Sequence, residues 1–107
     1  AIIAMTPIIA AEMGPHKINV NTICPGFIVT KLNRDMLKTH IGDEIVGKIP
    51  MRRFGKTEDT AALVSFLASD DADYITGAII PLDGGMGRFL DLGEEYRNYN
   101  PFKNLKS

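Results

Sequence analysis

Two short runs of branched residues decide most of what this chain can become. Ile18 to Cys24 interleaves Ile18, Val20 and Ile23 with Asn19, Asn21 and Thr22, and Ala78 to Leu82 is apolar almost throughout. Both read as strands. A helix fits between them. Thr57 stands as its N-cap, Glu58 and Asp59 fill a first turn where the helix dipole favours negative charge, and Leu63, Phe66 and Leu67 share one face up to about Ser69. A strand, a helix and a second strand at this spacing favour a right-handed crossover between parallel strands. The fold class is therefore α/β, with two parallel strands and flanking helices.

The rest of the pattern fits around that unit. Ala1 to Met13, "AIIAMTPIIAAEM", is apolar on nearly every face and reads as a helix whose circumference is mostly buried. Pro7 removes an N–H and crowds the carbonyl of Ile3, which predicts a kink or a helix start near Thr6. Gly14-Pro15 ends the element. Lys31 to Ile49 is weakly helical, and Gly42 and Gly47 divide it into two short helices or one mobile segment. "DYITG" is a turn, and Asp83-Gly84-Gly85 ends the second strand. Residues 1-85 make one unit. Residues 86-107 form a polar tail with Phe89, Tyr96, Tyr99 and Phe102 scattered through it.

Composition narrows the class of function. Of 107 residues 45% are apolar and 23% charged, with a net charge of −1, as in an ordinary globular domain. No basic stripe points to nucleic acid and no polybasic run to a membrane surface. The apolar runs are broken by Pro7, Glu12 or Gly26, so none spans a bilayer. There is no signal-peptide pattern, and the single Cys24 permits no internal disulfide and no metal cluster, so a reducing, cytoplasmic setting is expected. The chain opens at Ala1 inside a helical pattern and reads as a piece of a longer protein.

The stretch "NTICPGFIVTKL", Asn21 to Leu32, stops a strand at Pro25-Gly26 and soon meets the hydroxyl of Thr30. "INVNTICPGFIVTKL", then "IPMRRFG", then "AALVSFLASDDADYITGAIIPLDGG" resemble, in order and spacing, the last third of the short-chain dehydrogenase/reductase family. The resemblance covers Ala1 to about Gly85. It implies the C-terminal part of a doubly wound parallel (Rossmann-type) sheet binding NAD or NADP, with this chain supplying its sixth and seventh strands.

By that resemblance the Pro25-Gly26 loop lies under the nicotinamide ring. Gly26 lets the backbone approach a flat ring, and Pro25 stiffens the approach. The backbone of Ile28 faces the nicotinamide carboxamide, and the Thr30 hydroxyl bonds the same group or a nearby phosphate. Taken on the residues alone, Pro25-Gly26 simply turns the chain and Thr30 caps the next helix; the later motifs in register favour the cofactor reading, and for Thr30 both roles are compatible. Lys31 to Ile49 corresponds to the family's variable substrate-covering segment, so Phe27, Leu32, Met36 and Leu37 become candidate pocket-wall residues; a plain surface helix pair is the alternative. Arg53 reads as structural, pairing with a carbonyl or carboxylate, and Asp83 as a turn-former. His16 reads as an exposed loop residue. His40 has no carboxylate or cysteine at metal spacing, and Cys24 reads as a small apolar residue.

Family chemistry needs a tyrosine acid/base, a lysine four positions later, a substrate-orienting serine and a glycine-rich phosphate turn. None of these matches a position here. "YNPFK" sets Tyr99 and Lys103 at the tyrosine–lysine spacing, but it contains Pro101 and lies past the last strand. "GGMGRF" has Leu90 where a dinucleotide fingerprint needs its third glycine. No catalytic residue and no metal ligand is assigned. The expectation is a C-terminal fragment of an NAD(P)-dependent oxidoreductase of small alcohols or ketones, homo-oligomeric and inactive on its own. The alternative is a non-catalytic interaction or oligomerisation module built on the same fold.

Overall fold

The computed structural model describes residues 1–88 of the chain. The aromatic residues of the tail and the Tyr99–Lys103 pair lie outside them. Helix α1 (Ile2–Met13) leads through a 3-10 turn (Gly14–His16) to strand β1 (Thr22–Pro25). Helices α2 (Arg34–Leu37) and α3 (His40–Lys48) follow, then α4 (Thr57–Leu67), a 3-10 turn (Asp70–Ala72), strand β2 (Ile79–Leu82) and a last 3-10 turn (Met86–Arg88). β1 and β2 are parallel, with Thr22 beside Ile79 and Pro25 beside Leu82.

The ladder gives β2 a sidedness. Thr22 N–H bonds Ala78 O and Gly26 N–H bonds Leu82 O, both at 2.9 Å. The even-numbered residues of β2 therefore face β1, and Pro81 faces away, where its missing N–H costs no bond to β1.

Four local expectations change. α1 starts at Ile2, not near Thr6, and runs through Pro7. Thr6, buried, donates its hydroxyl to Ile2 O at 2.8 Å and meets the Thr22 hydroxyl of β1, so the helix is pinned to the sheet one residue before the proline. The circumference of α1 is not mostly buried: Ile2 is 73% exposed and Ile8 61%. β1 is shorter than Ile18 to Cys24, because side chains take the backbone partners of its amino end. Val20 N–H donates to Thr76 Oγ1 at 2.9 Å, while Asn21 gives Nδ2 to Ile75 O and takes Ala78 N–H on Oδ1, both at 3.0 Å. Finally, Lys56 and not Thr57 is the N-cap of α4. The Asp59 carboxylate reaches back to accept from Lys56 N–H at 2.8 Å, the acidic half of a capping box.

The buried apolar residues among those described are Ala10, Leu37, Ile49 and Ala72. Ile49, 2% exposed, sits against the turn after β2. Gly84 and Gly85 hold φ of 63° and 93° there, the left-handed conformation that only glycine adopts without cost. Asp83 forms that turn as expected. Its Oδ1 accepts from Gly85 N–H at 2.9 Å and its Oδ2 from Gly87 N–H at 3.0 Å. No helix among the described residues is long and apolar enough to cross a membrane.

Candidate functional site

β1 and β2 end side by side, and the chain leaves both at their carboxyl ends, where open α/β sheets bind ligands. A Cβ on Gly26 would stand 2.8 Å from Asp83 Cβ and 2.9 Å from Asp83 Cα. Glycine is thus required at 26 by the crowding of the two strand exits, before any ligand is considered. Pro25, at the end of β1, is exposed, as is Gly26.

Beyond Gly26 the chain makes a second, isolated parallel contact. Gly55 N–H donates to Phe27 O at 2.8 Å and Val29 N–H to Gly55 O at 2.9 Å, pairing Ile28 with Gly55. In extended backbone the carbonyl before a residue and the N–H after it face one side, and the residue's own N–H and C=O face the other. Ile28 therefore turns both its backbone groups away from Gly55.

On that free side Asn33 folds back from the start of α2. Its Nδ2 donates to Ile28 O at 2.9 Å, and its Oδ1 accepts from Thr30 N–H at 2.7 Å. Thr30 O in turn accepts from Arg34 N–H at 3.0 Å. Two polar groups are left over. Neither the Ile28 N–H nor the Thr30 hydroxyl has a partner among the described residues, and Thr30 is exposed. The N-cap position of α2 belongs to Asn33, so Thr30 does not cap that helix with its hydroxyl. Nothing in the sequence marked Asn33. An asparagine two residues past Lys31 looks like any loop asparagine, and only the backward reach of its amide distinguishes it.

A cavity of about 170 Å³ lies beside this loop, lined by Phe27, Ile28, Ile49, Met51, Leu82 and Asp83 among others. Of the four expected wall residues, Phe27 lines it and is 37% exposed. Leu32, 99% exposed, stands in solvent, and Met36 is exposed. Leu37 is buried, and its backbone lies so close to Gly42 of α3 that any side chain there would overlap it. The geometry therefore gathers Phe27 with Ile28 at the strand ends and sets Leu32, Met36 and Leu37 outside the cavity.

At the cavity's rim Arg53 and Asp59 form an ion pair at 3.0 Å, and Arg53 also donates to Phe54 O at 3.1 Å. The Arg53 hydrogen bond, helped by the Lys56 N–H, holds the Asp59 carboxyl below the usual carboxylate range, and Asp59 raises Arg53 in return. Arg53 is structural, as its sequence context implied. Arg52, which the sequence did not single out, holds a left-handed φ of 57° and donates from its guanidinium to Gly47 O and Ile49 O, both at 2.9 Å. A cation thereby meets carbonyls at the carboxyl end of α3. Cys24 is half-buried, and His16 and His40 are exposed.

The fold is α/β, and a loop with spare hydrogen-bonding groups lies at the carboxyl ends of its parallel strands, the place where open α/β sheets receive ligands. Comparison with known proteins gives the family. A family model described as enoyl-(acyl carrier protein) reductase matches residues 1–87. The 3-oxoacyl-(acyl-carrier-protein) reductase FabG of Pseudomonas aeruginosa is 43% identical over 81 residues, covering 76% of this chain and 32% of FabG. The (3R)-3-hydroxyacyl-CoA dehydrogenase of Canis lupus familiaris is 41% identical over 85 residues, covering 79% of this chain and 32% of that protein. An Agrobacterium tumefaciens protein solved with bound NADP superposes with a TM-score of 0.76 at 36% identity, covering 82% of this chain and 36% of that one. The chain belongs to the short-chain dehydrogenase/reductase family, and its two parallel strands with flanking helices are part of that family's Rossmann-type sheet. It spans about a third of the length of the curated relatives it matches.

Proposed function

We propose that residues 1-85 are the C-terminal part of the dinucleotide-binding domain of an NAD(P)-dependent oxidoreductase, with 86-107 as its tail. The whole protein transfers hydride between the nicotinamide of NAD or NADP and the carbinol or carbonyl carbon of a small alcohol or ketone. Pro25, Gly26, Ile28 and Thr30 border the nicotinamide, and Phe27, Leu32, Met36 and Leu37 contribute to the substrate side. Leu32 and Met36, both exposed, and the buried Leu37 belong to the segment that in the family covers the substrate. The 107-residue chain alone is inactive, since the tyrosine, lysine and phosphate turn of the family match none of its positions.

The observation that carries this reading is the pair of unpartnered groups, Ile28 N–H and Thr30 Oγ1, at the carboxyl ends of the strands. A carboxamide fits them: its carbonyl takes the Ile28 N–H, and Thr30 bonds the same amide or a phosphate. The cofactor supplies the hydride acceptor or donor. This chain's part is to bind and orient its ring, with Gly26 leaving the face open.

The test is a fluorescence titration of the full-length protein with NADH and NADPH. Thr30→Val removes one hydroxyl and keeps the volume. It is expected to weaken binding about 2- to 10-fold, the worth of one hydrogen bond, with an unchanged melting temperature. Equal affinity in the two proteins would overturn the assignment.

A second reading keeps the fold and drops the chemistry: an interaction or oligomerisation module. The observation in its favour is the apolar exposure of α1, where Ile2, Ile3, Met5 and Ile8 are each at least half exposed. The same faces suit a homo-oligomer of the enzyme. Binding of NADH or NADPH by the full-length protein separates the two readings. A soluble setting in the cytoplasm suits both.

A further inference from the structure

We infer that Asn33 is the positioning residue of the nicotinamide-binding edge, fixing which backbone groups of the Ile28–Thr30 loop are presented to the cofactor. The inference rests on the proposal that this edge receives a nicotinamide carboxamide. It goes beyond that proposal in naming a residue outside the loop, on the first turn of the substrate-side segment, as what sets the loop's hydrogen-bonding pattern.

The argument is one of accounting for polar groups. Residues 28 to 30 turn Ile28 N–H, Ile28 C=O and Thr30 N–H toward the side away from Gly55, and Thr30 adds an exposed hydroxyl. Asn33 is half-buried and takes two of them, with Oδ1 on Thr30 N–H at 2.7 Å and Nδ2 on Ile28 O at 2.9 Å. An amide is the side-chain group that does both, because it carries a donor and an acceptor on one carbon. The two groups it leaves are the Ile28 N–H and the Thr30 hydroxyl. Asn33 thus converts a loop with mixed polarity into an edge that presents donors, matched to a ligand carbonyl oxygen. It also joins that edge to α2. Thr30 O bonds Arg34 N–H and Asn33 O bonds Leu37 N–H, each at 3.0 Å, so backbone bonds tie the loop to the first turn of α2.

The experiment compares affinities of the full-length protein for the reduced cofactor and for the matching ADP-ribose fragment, which lacks the nicotinamide. Asn33→Leu removes both bonds at similar volume, and Asn33→Asp keeps the acceptor for Thr30 N–H while turning an oxygen toward Ile28 O. In the native protein the cofactor binds more tightly than the fragment. Asn33→Leu is expected to reduce that advantage about tenfold, with fragment affinity changed less than about twofold, and Asn33→Asp to fall between. A purely structural asparagine would weaken both ligands alike. An advantage undiminished in both variants overturns the role of Asn33 and leaves the nicotinamide site standing. A native protein with no advantage of cofactor over fragment overturns the site itself. If Asn33→Leu does not fold, Asn33→Asp decides by the same ratio.

Discussion

The two ends of β1 are built from the same kinds of residue and end up in opposite states. At the amino end, Asn19, Val20 and Asn21 hand their polar groups to the turn before β2. Asn19 Nδ2 reaches Asp73 O at 3.1 Å, Val20 N–H takes Thr76 Oγ1, and Gly77 N–H bonds Val20 O at 2.7 Å. Asn21 closes the pattern from both sides of its amide. At the carboxyl end, Asn33 plays the same part for Ile28 and Thr30, yet two groups remain without partners. With both backbone groups of Val20 and the side-chain amide of Asn21 spent on the turn before β2, this segment is a joint. A segment that keeps some unpaired, at the carboxyl ends of parallel strands, is the edge proposed to receive the cofactor.

The largest effect should come from Gly26, where the open end is also tight. Gly26→Val would drive a branched side chain into the backbone of Asp83, already within 2.9 Å of a first added carbon. Overpacking of this kind costs roughly 1–3 kcal/mol. With backbone on the other side of the contact, the expected loss is at the upper end, about 3 kcal/mol. On sequence grounds alone Gly26 reads as a place for a flat ring to approach, so cofactor binding would suffer more than folding. The geometry adds a folding cost. Urea unfolding of the full-length protein measures it. A variant with native stability and lost cofactor affinity would return Gly26 to the ligand alone.

Asn21→Leu tests the closed end. It removes two hydrogen bonds and leaves Ile75 O and Ala78 N–H without them. The expected loss is about 1–2 kcal/mol of stability, with cofactor affinity unchanged within about twofold. If cofactor affinity falls as far as it does in Thr30→Val, the two ends are coupled, and the division between joint and receiving edge fails.

What the sequence shows and what it hides divide along the same line. The order of strands and helices, the parallel pairing, the Pro25-Gly26 exit and the Asp83 turn were all readable, because each depends on residue type at short range. The true start of β1 was not. Ile18 to Asn21 has strand composition, but its hydrogen bonds run through side chains to residues 54 and 56 positions away, the Asn21 amide to Ile75 O and Val20 N–H to the Thr76 hydroxyl. Thr57 looked like the cap of α4 since threonine commonly is one. Asp59 won because a carboxylate at the third position satisfies Lys56 N–H without any hydroxyl. At the candidate site, Ile28 and Thr30 were proposed from the family's motif, whereas Asn33, which bonds both, lies outside that motif and has no composition signal.

The smallest effect belongs to the Arg53–Asp59 pair, at the rim of the open end. Its side chains are 48% and 33% exposed, so solvent and salt screen it and its contribution to stability is small. Asp59→Asn isolates the charge, because an asparagine oxygen still accepts from Lys56 N–H. The sign of the pH dependence follows from the direction of the shift. Asp59 titrates lower in the folded chain than in the unfolded one, first because of Arg53 and then because of the Lys56 N–H. Its charge therefore favours folding above the unfolded carboxylate range, near pH 4, and that advantage disappears as the pH falls through the lowered folded value. Thermal melts of the full-length protein and Asp59→Asn should differ slightly at pH 7 and converge below about pH 4. The difference should also shrink in high salt. A gap that persists unchanged into acid would mean that Asp59 acts through shape and capping, not charge. The open end would then be held by its backbone bonds and Asn33 alone.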